Sequence, residues 1–257
     1  MSCHKYLSYL SALGAALCVE VVTFFSVTPL SAEPLKVSLT FPPVENVGAP
    51  SRTAGGGQRG GPSGGPSCVT GRIPLTALAP SNNLGTTVSG NPTLFWYVPQ
   101  TEAKSAKFMM IDNQGNEFYT TTLPLKGTPG VVKLSLPANV SLQPGKNYIW
   151  QLELNCDLEN PSEQKFVRGL VKRTELNAEQ KTQLAAATEP LQKAQVYADA
   201  KVWQETLTIL AQLRSTRPND PRITDAWQEL LMSVQLNAIA TEPLVDCCTI
   251  NNSPTRR

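Results

Sequence analysis

The sequence predicts an α+β protein, mainly β first and then α: an antiparallel β-sandwich followed by a small helical hairpin region. Three observations carry this. Between Cys68 and about Arg173, apolar residues recur with period two in short runs broken by turn residues. From Glu175 the apolar spacing lengthens to that of a helix. Upstream of Cys68 there is no period, only Pro, Gly and Ser in abundance.

Residues 1–32 read as an export signal. Lys5 precedes an apolar run from Tyr6 to Val19, Val21–Phe25 follows Glu20, and Ala32 supplies the small residue before a cut at Glu33. An uncleaved anchor is the rival reading, but a spanning helix needs about 20 apolar residues, and Glu20 interrupts this one. The expected destination is the periplasm or the medium, with no membrane span after cleavage. Cleavage removes His4, the single histidine of the chain. Without an imidazole, a Ser–His–acid triad, a Cys–His pair and His-ligated metals are excluded. Lys5 and Glu20 cancel, so the formal charge stays at +2. That balance, without a basic cluster, argues against nucleic acid. No cofactor is expected.

Residues 33–67, ending in "RTAGGGQRGGPSGGPSC", read as a flexible linker, since such a composition buries too little apolar surface to offset its chain entropy. A phosphate-cradling loop fails for want of a leading strand and a Gly-Lys-Ser/Thr ending.

The β region spans 68–173. Strands are expected at "RIPLTAL", "TLFWYV", "AKFMMID", "EFYTTTL", "VVKLSL", "NYIWQLELN" and "QKFVRGLVK", separated by turns such as "PSNN", "GNP", "DNQGN" and "LQPGK". Short antiparallel strands at this spacing suit a two-sheet sandwich. Tyr148, Trp150, Leu152, Leu154 and Cys156 share one face of their strand. The preceding Leu142, Gly145 and Tyr148 are similar to the tyrosine corner of immunoglobulin-like and fibronectin type III domains, where the Tyr hydroxyl bonds upstream backbone.

The helical region spans 174–240. Asn177 with Gln180 makes a cap, and Thr188 before "EPL" makes another. Leu191, Ala194 and Ala198 form one apolar stripe; Trp203, Leu207, Leu210 and Leu213 a second; Ile223, Trp227, Leu230, Leu231 and Val234 a third. Tyr197 and Ala198 closing one helix, Trp203 opening the next and "RPNDP" ending it resemble one tetratricopeptide hairpin. Residues 241–257 carry no pattern and read as a loose tail.

Four cysteines remain after the signal: Cys68, Cys156, Cys247 and Cys248. They allow three connectivities. The widely spaced Cys68 and Cys156 are the natural structural pair, worth about 3–5 kcal/mol on the loop-entropy account, and would pin the linker to the sheet. Cys247 and Cys248 are adjacent, about 3.8 Å apart at Cα, short for a bridge. Free thiols or one long-range bridge both stand for them.

In order along the chain, "RTAGGGQRGGPSGGPSC", "TALAPSNNLGTTVSGNPTLFWYVP", "LQPGKNYIWQLELNCD" and "VYADAKVWQETLTILAQLR…AWQELLMSVQL" resemble a family found mostly in cyanobacteria, catalogued as domain of unknown function 928. The resemblance runs from about residue 50 to 240. That family usually has Gly where Lys201 stands, which leaves open how sharply the helix breaks there. It implies no activity.

Candidate sites are few. Asp157, Glu159 and Glu163 could do acid–base chemistry on a glycan, though "CDLENPSE" also suits a polar turn. "DNQGNE" at Asp112–Glu117 lacks calcium-loop spacing and fits a hairpin turn. Phe95, Trp96 and Tyr97 put rings on both faces of one strand, one face core and the other a binding platform or a surface under the helices. Arg59, Trp96 and Trp203 are the candidate partner contacts, with Trp203 read first as a packing anchor. The favoured function is a non-catalytic adaptor of the cell envelope binding a protein or glycan. The rival is a secreted carboxylate-dependent hydrolase of envelope glycans.

Overall fold

A computed structural model describes residues 38–43, the backbone of 54–55, and residues 68–156 and 165–246. The expected strands form where period two predicts them. β5 (Thr93–Val98), β7 (Ser105–Ile111), β8 (Glu117–Pro124), β9 (Gly130–Ser135), β10 (Asn147–Leu154) and β11 (Lys165–Arg173) follow the expected runs within a residue or two. "RIPLTAL" yields only the two-residue β3 (Thr76–Ala77). Four further pieces were not expected as strands: β1 (Ala54–Gly55), β2 (Val69–Thr70), β4 (Leu84–Thr87) and β6 (Gln100–Thr101).

The strands make three sheets, followed by four helices, a mixed α+β arrangement. One six-stranded sheet runs β1-β11-β10-β7-β8, with β4 also on β11; a second runs β3-β5-β9; β2 pairs with β6. The pairing is not wholly antiparallel. β4 lies parallel to β11, Leu84 opposite Leu170 through Thr87 opposite Arg173. A parallel pair needs a long crossover, and everything between Thr87 and Lys165 supplies it. Gly85 in β4 sits against α3 (Trp203–Thr216), where a Cβ would strike the Gln204 amide.

β10 and β7 present Trp150, Leu152, Leu154, Phe108 and Met110 to one core, where Trp96 meets Phe108 at 5.5 Å and Trp150 at 5.6 Å between ring centroids. At the turn into β10, the Gln143 amide donates to Tyr148 Oη at 3.0 Å, with Leu142 fully buried and Gly145 at φ +77°. That positive φ is why a Gly stands there.

The second core belongs to α1 (Ala178–Ala186), α2 (Pro190–Asp199), α3, α4 (Pro221–Ser233) and the short 3-10 helix Asn237–Ile239. The expected stripes of α2, α3 and α4 are all buried in it except Leu191, which is half-buried. The Asn177–Gln180 capping box forms. The second cap is displaced by one residue: Glu189 takes the position because Pro190 occupies the first helical turn, and Gln192 Oε1 accepts from the Thr188 and Glu189 amides at 3.2 Å each.

Two expectations of loose chain are corrected. Within the predicted linker, Leu39 and Phe41 are buried on the helices; their amides donate to Glu229 Oε2 at 3.0 Å and Ser233 Oγ at 2.9 Å. Within the predicted tail, Leu244 bridges Val131, with Val131 N–H to Pro243 O at 2.7 Å and Val245 N–H to Val131 O at 2.8 Å. In both cases a few apolar side chains and ready backbone donors are enough to dock an extended segment. All described residues fall in one compact unit, Lys36–Arg257.

Candidate functional site

β5 is the strand from which the surface features can be built, because its side chains serve both cores. Leu94, Trp96 and Val98 point into the sheet core, and Phe95 and Tyr97 into the helical core. The consecutive rings are therefore all packing residues. Trp96 is fully buried, as is Trp203, whose Nε1 donates to Leu78 O at 2.8 Å and whose ring meets Phe41 edge-on at 5.0 Å. Neither can touch a partner, so that part of the expectation is corrected: aromatic rings between two apolar layers gain more by burial than by display. Arg59, Asp157, Glu159, Glu163, Cys247 and Cys248 lie outside the described residues.

Cys68 and Cys156 form a disulfide with Cα atoms 5.5 Å apart, closing a span of 88 residues. It ties the start of the β2–β6 ladder to the end of β10. Asp112 caps its hairpin, Oδ1 accepting from Gln114 N at 2.8 Å and Asn116 N at 2.9 Å. Those bonds, that to the Asn116 backbone foremost, hold its carboxyl below the ordinary range. Among the described residues no cluster of His, Cys, Asp and Glu suits a metal, and no helix is long and apolar enough to cross a membrane.

Two cavities flank α3. The larger, about 560 Å³, lies between β5, β9, the second half of α3 and the docked residues Leu244–Asp246. Its floor is Phe95, Val131 and Ala211, and its rim carries Lys133, Arg214 and Asp246. Arg214 stacks over Trp227 with its guanidinium carbon 5.2 Å from the ring centroid, and Nη1 donates to Glu242 O at 2.9 Å. Burial pulls its pKa below the usual range, but a guanidinium remains charged. The cleft thus joins apolar residues to charges of both signs, of which Arg214 is held in place.

The smaller cavity, about 240 Å³, is lined by Ser89, Tyr197, Gln204 and Glu205 among others. Glu205 is an acid whose pKa is raised. Its Oε1 accepts from Thr87 Oγ1 at 2.7 Å, Val88 N at 3.1 Å and Ser89 N at 3.0 Å. Its Oε2 is buried and unpartnered. Burial raises its pKa, outweighing the three donors, and Tyr197 is raised by its own burial and then by the Glu205 charge. Such a carboxyl could serve as a general acid. Its accepting oxygen, however, is saturated by the loop after β4. The arrangement is a clamp between that loop and α3, seconded by Thr86, whose Oγ1 accepts from Trp203 N at 3.1 Å and donates to Lys201 O.

Sequence reading passed over Glu205, Lys133 and Arg214. An acid in a first helical turn is ordinary, and nothing local marks Lys133 or Arg214; only the packing of α3 over β5 and β9 puts both on one cavity.

Comparison with curated proteins finds no match. A family model does match, over residues 54–244, covering β1 through the docked C-terminal segment. The chain therefore belongs to the family described as Domain of Unknown Function (DUF928).

Proposed function

We propose that this protein is an exported, non-catalytic adaptor of the cell envelope, an immunoglobulin-like sandwich joined to a tetratricopeptide-like hairpin, and that it holds a segment of a partner protein in the cleft beside α3. The observation that carries the reading is the cleft itself. An apolar floor with a rim of Lys133, Arg214 and Asp246 suits an extended peptide, which offers side chains to the floor and charges to the rim. The buried Trp96 and Trp203 leave no exposed Trp platform on which a sugar ring would stack, so a protein is favoured over a glycan. Support for the sandwich comes from the Tyr148–Gln143 bond and from a core shared between two sheets. Support for export comes from residues 1–32.

The test is site-specific photo-crosslinking in an envelope extract. A cross-linker at Lys133 should capture one partner, competed away by unlabelled protein, while one at exposed Lys172 should capture none. Equal capture at both positions sinks the cleft assignment. Retention on envelope polysaccharide without any protein capture replaces the partner protein with a glycan.

A further inference from the structure

We infer that the outer edge of β8 pairs with the same edge of a second copy of this chain. The inference rests on how the molecule treats its other sheet edges. The outer edge of β11 is covered along Phe166–Val167 by β1 and along Leu170–Arg173 by β4. The outer edge of β9 is bridged at Val131 by residues 243–245. β3 is only two residues long. β8 is different: it ends the six-stranded sheet, pairs with β7 alone among the described residues, and runs for eight residues.

An edge of that length is a row of unpaired backbone donors and acceptors, and proteins that stay monomeric blunt it with Lys, Pro, a bulge or a covering segment. Between Tyr119 and Leu123 β8 carries none of these; its bulge lies at Phe118, at the start of the strand. From Phe118 to Leu123 it is uncharged, and its one Pro is the last residue. Thr120 and Thr122 stand exposed on one face of the strand, and Phe118, 40% exposed, lies at a bulge with its ring 5.3 Å from that of Tyr148.

The charges choose a second copy and its orientation. Glu117 stands at one end of the strand and Lys126 just past the other. Antiparallel pairing about Thr121 sets Thr120 opposite Thr122 and Tyr119 opposite Leu123. It also brings Glu117 of each copy toward Lys126 of the other. Threonine pairs and an aromatic beside an aliphatic are favourable cross-strand neighbours, and like charges do not meet. The two six-stranded sheets would then be continuous through a two-fold axis.

The experiment is sedimentation velocity of the purified protein over a wide concentration range, with the Thr120→Lys/Thr122→Lys double variant beside it. The wild type should dimerise reversibly. The variant, which sets lysines against each other across the axis, should raise the dimer dissociation constant by at least about tenfold. Thr120 Oγ1 donates to Phe108 O at 3.1 Å, so Thr122→Lys alone serves if circular dichroism shows the double variant to be misfolded. Amide exchange in β8 should slow as the wild type dimerises. A wild type that stays monomeric throughout overturns the inference, and so does a dimer that survives the lysines. A monomer whose β8 amides are protected only by another protein assigns the edge to that protein instead.

Discussion

The two cores are closed by different means. The sheet core is closed by long ladders: β7, β8, β10 and β11 pair over six to eight residues each, and a disulfide ties the start of the region to the end of β10. The helical core is closed by pieces from far away in the chain. Leu39 and Phe41 come from upstream, Phe95 and Tyr97 from β5, and Leu236 and Ile239 from beyond α4. A β region can thus be specified by its own alternation, whereas this short helical region depends on what is brought to it. Four short helices have too few neighbours of their own to bury their stripes, and the remainder of the chain provides the missing surface.

The largest test of that difference is Trp203→Ala. The residue is fully buried between Phe41 and the helices and donates to Leu78 O at 2.8 Å. The substitution should cost about 3–5 kcal/mol, and Trp203→Phe should recover most of the packing while losing about 1 kcal/mol with the hydrogen bond. Urea unfolding followed by far-ultraviolet circular dichroism and by intrinsic fluorescence should still give coincident transitions, because β5 belongs to both cores. Separated transitions in Trp203→Ala would mean that the β region stands without the helices.

Phe41→Ala addresses the docked upstream segment. Phe41 is 3% exposed, and its loss should cost about 3 kcal/mol, toward the low end for Phe→Ala because a short segment can settle into the space left. Limited proteolysis should then cut near residues 38–43. A protein unchanged in stability would show that the helical core closes without this segment.

How much of this was legible follows from the same physics. β10 could be read because Tyr148, Trp150, Leu152 and Leu154 recur at period two over a whole strand, and α3 because Trp203, Leu207 and Leu210 hold a helical stripe. β4 could not, since "LGTT" has no apolar face and its pairing with β11 is set by a crossover of most of the β region. Leu39 and Phe41 are two apolar residues among prolines, too few to make a period. The candidate site was less legible than the fold. Phe95 shows as an aromatic of β5, but Lys133, Arg214 and Asp246 lie on three segments that only the tertiary structure brings together, and Trp96, a candidate partner contact by sequence, is a core residue.

The junction of the two regions is sharpened by Glu205. Glu205→Ala removes the acceptor for Thr87, Val88 and Ser89 and should cost about 1–3 kcal/mol for the donors left in the junction. Glu205→Gln retains an acceptor oxygen and should cost less. Because burial raises the folded pKa above the ordinary Glu value, the folded state holds this proton more tightly than the unfolded chain does. The stability it contributes is complete below the ordinary Glu pKa and is lost as the pH rises through the raised value. Denaturant midpoints should therefore fall over that window in the wild type and change less in Glu205→Gln. Identical pH slopes would remove the acid from the account of the junction.

The smallest expected effect lies at Lys201, where α2 gives way to α3. Its φ is +56°, so the helix breaks here in the left-handed conformation that a Gly adopts without strain, and a lysine adopts it instead. The cost of a side chain there is about 1–2 kcal/mol, while a Gly adds about 0.5–1 kcal/mol of unfolded-state entropy. Lys201→Gly should consequently stabilise by roughly 0.5 kcal/mol on balance of those terms, and Lys201→Ala should gain nothing, as its Cβ keeps the strain. The backbone contacts do not depend on the side chain: Lys201 N–H donates to Ala198 O at 2.8 Å, and its carbonyl accepts from Thr86 Oγ1. Should the Gly variant melt below the wild type, the lysine side chain itself would be holding the α2–α3 corner against β4. The dependence of the helical region on the sheet would then extend to a surface residue.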